Sequence, residues 1–282
     1  MLRFDIAGIH IKIISENLRI IDKFKPFICN FKGAADTIVT LNSCSYIGSP
    51  KGDLLLNVEN VKWMAGPDKD SVIVCISNRK TGEPLCLLSA DSKWGRVDIS
   101  YLADSPGIDY AVTGIMFNIV IRNRVLFHQG IVIHASAIEY NGKGIIFSAP
   151  SGTGKSTQAG LWETFLGAKV LNDDCPVVKI ENGQISICGT PCSGSRDKFL
   201  NSSAQLSAVV MLEQACENTI RTLSNAEAIS YLMPRCFLAY NDQNLMDMAI
   251  KHLEEIICAV PVYLLECRPD REAVELVYQC IK

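Results

Sequence analysis

The run GIIFSAPSGTGKSTQAG, Gly144–Gly160, decides how the rest of this chain is read. It opens on apolar, β-prone residues and passes through A-P-S-G-T-G-K-S at positions 149–156. It continues as KSTQAGLWETFLG, where Leu161, Trp162, Phe165 and Leu166 cluster on one helical face and Gly167 supplies a stop. The expected order is strand, loop, helix. A G-x-x-x-x-G-K-[ST] loop in that setting cradles phosphate, because consecutive backbone N–H groups and a helix N-terminus converge on the anion. The lysine adds a point charge and the hydroxyl a magnesium ligand. Ser151, Gly152, Thr153, Gly154, Lys155, Ser156 and Thr157 are the nucleotide-binding residues this predicts. The first glycine of the pattern is Ala149 here. Positive φ and close approach are demanded at Gly152 and Gly154, so one added methyl at the strand end is a small change.

On the N-terminal side, GIVIHASAIEY and GIIFSA are strand-like runs joined by Asn141-Gly142, a strong hairpin signal. His134 lies on the strand predicted to run antiparallel to the one that feeds the loop. On the C-terminal side, AKVLNDDCPVVKI reads as a strand carrying Asp173-Asp174 and then a further strand. Adjacent strand residues face opposite ways, so a bend is needed for both carboxylates to reach one site. An Asp-Asp pair taken alone is usually a solvated turn; its position after a phosphate loop gives it a second reading, as a magnesium ligand or proton acceptor. Further on, SAVVMLEQ and VPVYLLEC read as strands. SNAEAISYLM, QNLMDMAIKHLEEIICA and DREAVELVYQCI read as helices, with Ser224 or Asn225 and Asp270 as caps.

Residues 1 to about 105 carry strand-like segments, FDIAGIHIKI, DTIVTLNS, SVIVCIS and RVDISYLA, and no chemical motif. His10 sits in one of them and reads as a packing or surface residue. Ser105-Pro106-Gly107 breaks the pattern, and YAVTGIMFNIVIRNRV after it suits a buried helix, although its β-branched content leaves a strand open. A β-rich domain over 1–105 and a nucleotide-binding domain over 106–282 are expected.

With 282 residues, 48% of them hydrophobic, and a net charge of −3, the chain has the composition of a globular protein without the basic surplus that nucleic-acid binding calls for. The longest apolar-rich run, Tyr110–Ile121, is too short to span a bilayer, and MLRFDIAGIHIKI alternates instead of forming a signal core. A cytoplasmic protein, with neither nucleic acid nor membrane as partner, is the expectation; a homo-oligomer is allowed. The 12 cysteines form no CxxC pair, and Cys188 and Cys192 have no histidine nearby, so they read as reduced core residues rather than a zinc site.

Taken together, IHASAIEYNGKGIIFSAPSGTGKST and VLNDD resemble the nucleotide site of HPr kinase/phosphorylase and ATP-dependent phosphoenolpyruvate carboxykinase. The likeness is closest to the smaller HPr-kinase-like proteins, including kinases encoded with ribosomally made peptides such as lasso peptides. GTPCSGS, Gly189–Ser195, resembles a GTPWSG segment of these relatives with Cys192 in place of tryptophan, and VPVYLLECRPDREAVEL resembles their C-terminal segment. The resemblance spans about residues 105–282. It implies an α/β (α+β) P-loop fold with a mixed sheet, and an enzyme that uses ATP, or another nucleoside triphosphate in its place, with Mg2+. A Ser or Thr hydroxyl of a peptide or protein would be the phosphate acceptor; a small-molecule hydroxyl and a non-catalytic nucleotide sensor are the alternatives. It implies Lys155 on the β- and γ-phosphates, Ser156 and Asp174 on the metal, Asp173 as base and His134 at the transferring phosphoryl group or a metal. Arg196, just after GTPCSG, is either a phosphate-neutralising cation or an exposed loop arginine. The signature with which HPr kinases recognise their protein substrate is not apparent, and the chain is too short for the carboxykinase and lacks its substrate-binding arginine motifs.

Overall fold

The computed structural model describes residues 1–15, 19–68, 70–194 and 196–282, with the backbone course alone at 19–22. The chain is mixed α and β with two mixed sheets, and it divides into two units, Met1–Phe127 with Ala239–Asn244 and His128–Leu238 with Leu245–Lys282.

The first unit is built on an eight-stranded sheet. Its strands are β1 (Leu2–Ile6), β2 (Ile9–Ser15), β3 (Thr37–Cys44), β4 (Leu54–Val58), β5 (Val61–Ala65), β6 (Val72–Ser77), β7 (Pro84–Ala90) and β8 (Arg96–Leu102), in the order β1-β2-β3-β8-β7-β6-β5-β4. FDIAGIHIKI, read from sequence as one strand, is a hairpin. Ala7 and Gly8 take φ of 53° and 75°, and the Gly8 N–H donates to Asp5 Oδ1 at 2.8 Å, so two strands form where uninterrupted alternation suggested one. The residues after Ser105-Pro106-Gly107 are helical, first as a wide π-type stretch, Tyr110–Met116, then as α1 (Phe117–Arg124). Ala111, Val112 and Met116 are buried, and this stretch packs against β7 and β8. The break near residue 105 thus precedes the helix, whereas the compact units part after it.

The second unit contains the strand, loop and helix anticipated at Gly144–Gly160. Its elements are β9 (Gly130–Val132), β10 (Ala135–Tyr140), β11 (Lys143–Ser148), α2 (Lys155–Leu166), β12 (Lys169–Asn172), β13 (Val177–Glu181), β14 (Gln184–Cys188), β15 (Ser203–Gln214), β16 (Thr219–Thr222), α3 (Asn225–Leu232), α4 (Gln243–Ala259), β17 (Val262–Cys267) and α5 (Arg271–Cys280). The sheet runs β12-β10-β11-β15-β14-β13-β9, with β17 on the far half of β15 and β16 beyond it. Asn141 and Gly142, at φ of 51° and 79°, turn β10 into β11 in the left-handed geometry that an Asn-Gly hairpin favours. The strands β11, β15 and β17 are parallel neighbours, so their carboxyl ends, Ser148, Gln214 and Cys267, lie along one edge. That edge is where open α/β sheets take their ligands.

Local signals set the helix ends. Gly167 closes α2 at φ 71°, Ser224 and Glu227 form a reciprocal capping box on α3, and Asp270 accepts from the Ala273 N–H at the start of α5. The buried face of α2 is Lys155, Gln158, Ala159 and Trp162, at i, i+3, i+4 and i+7. Phe165, assigned to that face from sequence, is 43% exposed, with the Arg271 guanidinium over its ring. Trp162 is fully buried between Phe147 and Tyr140 and joins α2 to the core under β10, β11 and β15. Trp162→Ala should destabilise the second unit by about 3–5 kcal/mol, read as a fall in its melting temperature.

Candidate functional site

The site begins with a bend at the end of β12. Asn172 is fully buried, and its side-chain oxygen accepts from the Asp174 and Cys175 N–H groups at 2.9 and 2.7 Å. Its Nδ2 donates to the carbonyls of Thr190 and Cys192 at 2.9 and 3.0 Å. One amide therefore ends the strand, turns it, and ties it to the GTPCSG loop. Gly189 begins that loop where no side chain fits: a Cβ there would meet Leu200 O at 1.9 Å and Leu171 O at 2.5 Å. Ser195, the last residue of the GTPCSGS segment, lies outside the described residues.

The bend sends the two carboxylates to different partners. Asp173 is buried, with Oδ1 accepting from the Gly194 N–H at 2.7 Å, whereas its Oδ2 is buried without a hydrogen-bond partner. An unsatisfied carboxylate oxygen in such a place is costly unless something else meets it. Asp174 turns to His134, whose Nε2 lies 3.3 Å from Oδ1, while the Cys175 thiol donates to Oδ2 at 3.2 Å. His134 is not within a continuous strand, as the sequence suggested; it stands in the break between β9 and β10. Its N–H donates to the Arg235 carbonyl and its own carbonyl accepts from Ser148 Oγ, which keeps the residue beside the end of β11.

In the loop, Gly152 and Gly154 take φ of 81° and 120°, values that L side chains rarely adopt, and nothing lies within 4 Å of where a Cβ would stand on either. The concave side is open. Ala149 is fully buried and belongs to the core with Phe147, Ala159 and Trp162, so its methyl packs inward and does not narrow the loop. Lys155 opens α2 with its ammonium buried against the carbonyls of Ala149 and Pro150 at 3.2 and 3.4 Å. Ser151 and Thr157 are exposed; Thr153, Gly154 and Ser156 are half-buried. Thr153 receives Gln214 Nε2 on its carbonyl at 3.3 Å, which links the loop to the end of β15.

Lys155 and Asp174 act on one another. Burial lowers the Lys155 pKa from its ordinary value, the negative charges of Asp174 and Cys175 oppose that fall, and the Arg235 cation adds to it. For Asp174, burial pushes the pKa up; hydrogen bonds from His134 and Cys175, with the charges of His134 and Lys155, outweigh it, and the net shift is downward. His134, Lys155 and the twin acids are thus brought into one neighbourhood within the second unit, while Arg196 occupies a different position. It is exposed, and its Nη1 donates to the Ser156 carbonyl at 2.8 Å.

Two cavities flank the loop. One, of about 660 Å3, lies between Ala149–Thr153, the end of β15 and the Ser230–Arg235 segment. The other, of about 380 Å3, is bordered by Gly154, Thr157, Gln158, Cys267 and Arg268. Gln158 is buried and its Nε2 has no hydrogen-bond partner. Sequence reasoning missed Asn172, Cys175, Gln158 and Arg235. Asn172 carried a usable signal, since asparagine before a bend commonly bonds its own backbone two residues on; the others had none.

Among the described residues, no group of three or more His, Cys, Asp or Glu is arranged to hold a metal ion. Magnesium makes a smaller demand, because it is commonly bound through one or two carboxylates with water and substrate phosphates. The Ser156 hydroxyl and an Asp174 carboxyl held in its ionised form are donors of that kind. No helix of the described residues is long and apolar enough to cross a membrane.

The chain belongs to the SynChlorMet cassette protein ScmC family, whose family profile matches residues 110–269. No curated protein sequence matches it. Among solved structures it is similar to the Hpr(Ser) kinase/phosphatase from Coxiella burnetii, at 14% identity over 53% of this chain and 95% of that one, with a TM-score of 0.31. A likeness that loose bears on neither activity nor residue roles.

Two outcomes follow from the bend. Asn172→Ala leaves buried backbone groups on both sides without partners and should destabilise the second unit by about 2–5 kcal/mol, measured by thermal melting. The folded-state pKa of Asp174 lies below its unfolded value, so its contribution is complete above the ordinary carboxylate range and is lost as pH falls through the depressed pKa. The melting difference between wild type and Asp174→Asn should therefore shrink as pH falls from about 5 to about 3. A difference that stays constant over that range would contradict the assignment.

Proposed function

We propose that this chain is an ATP- and Mg2+-dependent phosphotransferase that transfers a phosphoryl group to a hydroxyl, a Ser or Thr of a peptide or protein being the favoured acceptor. The observation that carries the reading is the meeting of a positive-φ glycine loop and a buried Lys155 with the His134–Asp174 pair and an Asp173 oxygen that has no partner. The resemblance of the sequence to HPr-kinase-like proteins points the same way, and membership of a family of cassette proteins fits work on a co-encoded peptide.

Phosphoryl transfer asks mainly for alignment and charge neutralisation. In this reading the N–H groups of Ser151–Thr157 line the phosphates, with Lys155 on the β- and γ-groups. Ser156 and Asp174 would hold Mg2+, which when bound neutralises charge on the phosphate oxygens. Asp173 Oδ2 takes the proton of the attacking hydroxyl. Its other oxygen is already engaged by the Gly194 N–H, which fixes the carboxylate plane for that task. His134 holds Asp174 in place and stands at the phosphoryl group.

A second reading, a small-molecule acceptor, is favoured by the cavity of about 660 Å3 beside the loop, a volume typical of small-ligand sites. Labelled ATP supplied with Ser- and Thr-containing peptides, and separately with free hydroxy metabolites, separates the two. Asp173→Asn should abolish transfer to either while leaving MgATP affinity within about twofold, because the lost group meets the acceptor and not the nucleotide. Undiminished turnover in that variant would remove Asp173 from the role of base.

A further inference from the structure

We propose that Arg196 is a positioning residue for the base Asp173: it ties the loop that grips this aspartate to the first turn of α2, where the phosphates would be held. The inference rests on the phosphotransferase reading and deepens it.

The loop that carries Gly194, Arg196 and Lys198 closes on Asp173 at both ends. The Asp173 N–H donates to the Lys198 carbonyl at 3.1 Å, and its Oδ1 accepts from the Gly194 N–H at 2.7 Å. Gly194 fits closely, since a Cβ on it would stand only 3.3 Å from the Asp174 Cβ. Beyond Lys198 the chain pairs back onto the end of β12, with Phe199 opposite Asn172 and the Leu200 N–H on the Leu171 carbonyl at 2.9 Å. These bonds fix Asp173 to its own strand and loop. They do not fix it to α2.

Two side chains make that connection. Lys198 Nζ lies 2.5 Å from Glu163 Oε2, an exposed pair further along α2, where water screens it. Arg196 Nη1 donates at 2.8 Å to the carbonyl of Ser156, next to Lys155 and on the residue whose hydroxyl would meet Mg2+. The guanidinium reaches that carbonyl because residue 160 is a glycine: a Cβ there would stand 3.1 Å from Nη1. A glycine inside a helix is unfavourable against any ordinary side chain, and here it clears the seat of the arginine. Ser156, Asp173, Arg196 and Lys198 border one narrow cleft of about 10 Å3, so the tie bridges base and helix directly.

An attacking hydroxyl has to lie in line with the γ-phosphorus and within hydrogen-bond reach of Asp173 at once. The phosphates are placed by the glycine loop and the start of α2, the proton acceptor by the loop that Arg196 anchors. Base and phosphate are therefore only as well aligned as the contact between those segments, and a misplacement of about 1 Å costs on the order of a hundredfold in rate. In the step itself the hydroxyl oxygen bonds to the γ-phosphorus as the bond from that phosphorus to the β,γ-bridging oxygen breaks. The proton passes to Asp173 and ADP leaves. Arg196, held on a backbone carbonyl, meets none of the reacting atoms and acts through Asp173.

The test follows kcat, MgADP affinity and melting temperature in the full chain, with labelled ATP and whichever Ser- or Thr-containing peptide or hydroxy metabolite the wild type phosphorylates. Arg196→Ala should lose at least about tenfold in kcat while binding MgADP within about twofold of wild type and melting as it does. Arg196→Lys, which keeps a donor without the planar fork, should recover part of the loss. Gly160→Leu should lower kcat by a similar factor although it melts no lower than wild type, because filling the seat also raises helix propensity. Combined with Arg196→Ala it should do no further harm, since both changes break one contact. An unchanged kcat in Arg196→Ala, a fall in its MgADP affinity as large as that in kcat, or losses that multiply in the double variant would overturn the inference and leave the nucleotide site standing. A wild type that transfers phosphate to none of these acceptors overturns the phosphotransferase reading and this one with it. Should Gly160→Leu melt lower than wild type, Gly160→Ala takes its place and is judged by the same measurements.

Discussion

The side-chain amide of Asn172 is the constraint on which the candidate site depends. It replaces the next rung of a β-ladder with two hydrogen bonds to the following N–H groups, and it uses its own N–H bonds to hold the carbonyls of Thr190 and Cys192. A strand that continued straight would present Asp173 and Asp174 to opposite faces. The bend instead lets one carboxylate lie against Gly194 with an oxygen unspent and the other against His134. Because the amide is fully buried, each of its bonds is made away from competing water, where leaving one unmade is expensive.

Around that bend the charges are balanced locally rather than globally. Burial pulls the Lys155 pKa down, and His134, Cys175 and Lys155 hold the Asp174 pKa down. Arg235 adds a second positive charge that lowers the Lys155 pKa further, and its side chain lines the cavity beside the glycine loop.

Much of the second unit was legible in sequence because its signals are local. The Asn141-Gly142 turn, the Gly167 stop, the Ser224–Glu227 box and the Asp270 cap each concern residues within a few positions of one another, and each forms as expected. Where local pattern misled, geometry at a single point intervened. Positive φ at Ala7 and Gly8 folded one alternating run into a hairpin, and the break at His134 divided what had looked like one strand. Phe165 fits a helical stripe on paper; the buried stripe is set by where β10, β11 and α5 stand, and it runs through Trp162.

By itself the sequence determined the loop, its lysine and hydroxyl, and the helix that follows, because all of these are consequences of residue type at short range. Tertiary structure alone decided which arginine lines the larger of the two cavities beside the loop. Arg235 lies in no motif and is remote in sequence from His134; the two become neighbours only because the segment after α3 pairs with the strand break at Ile133–His134. It likewise decided why Ala149 stands where a glycine is usual: the methyl fills the core beneath the loop, a fact about volume among side chains drawn from several elements, which no local pattern can carry.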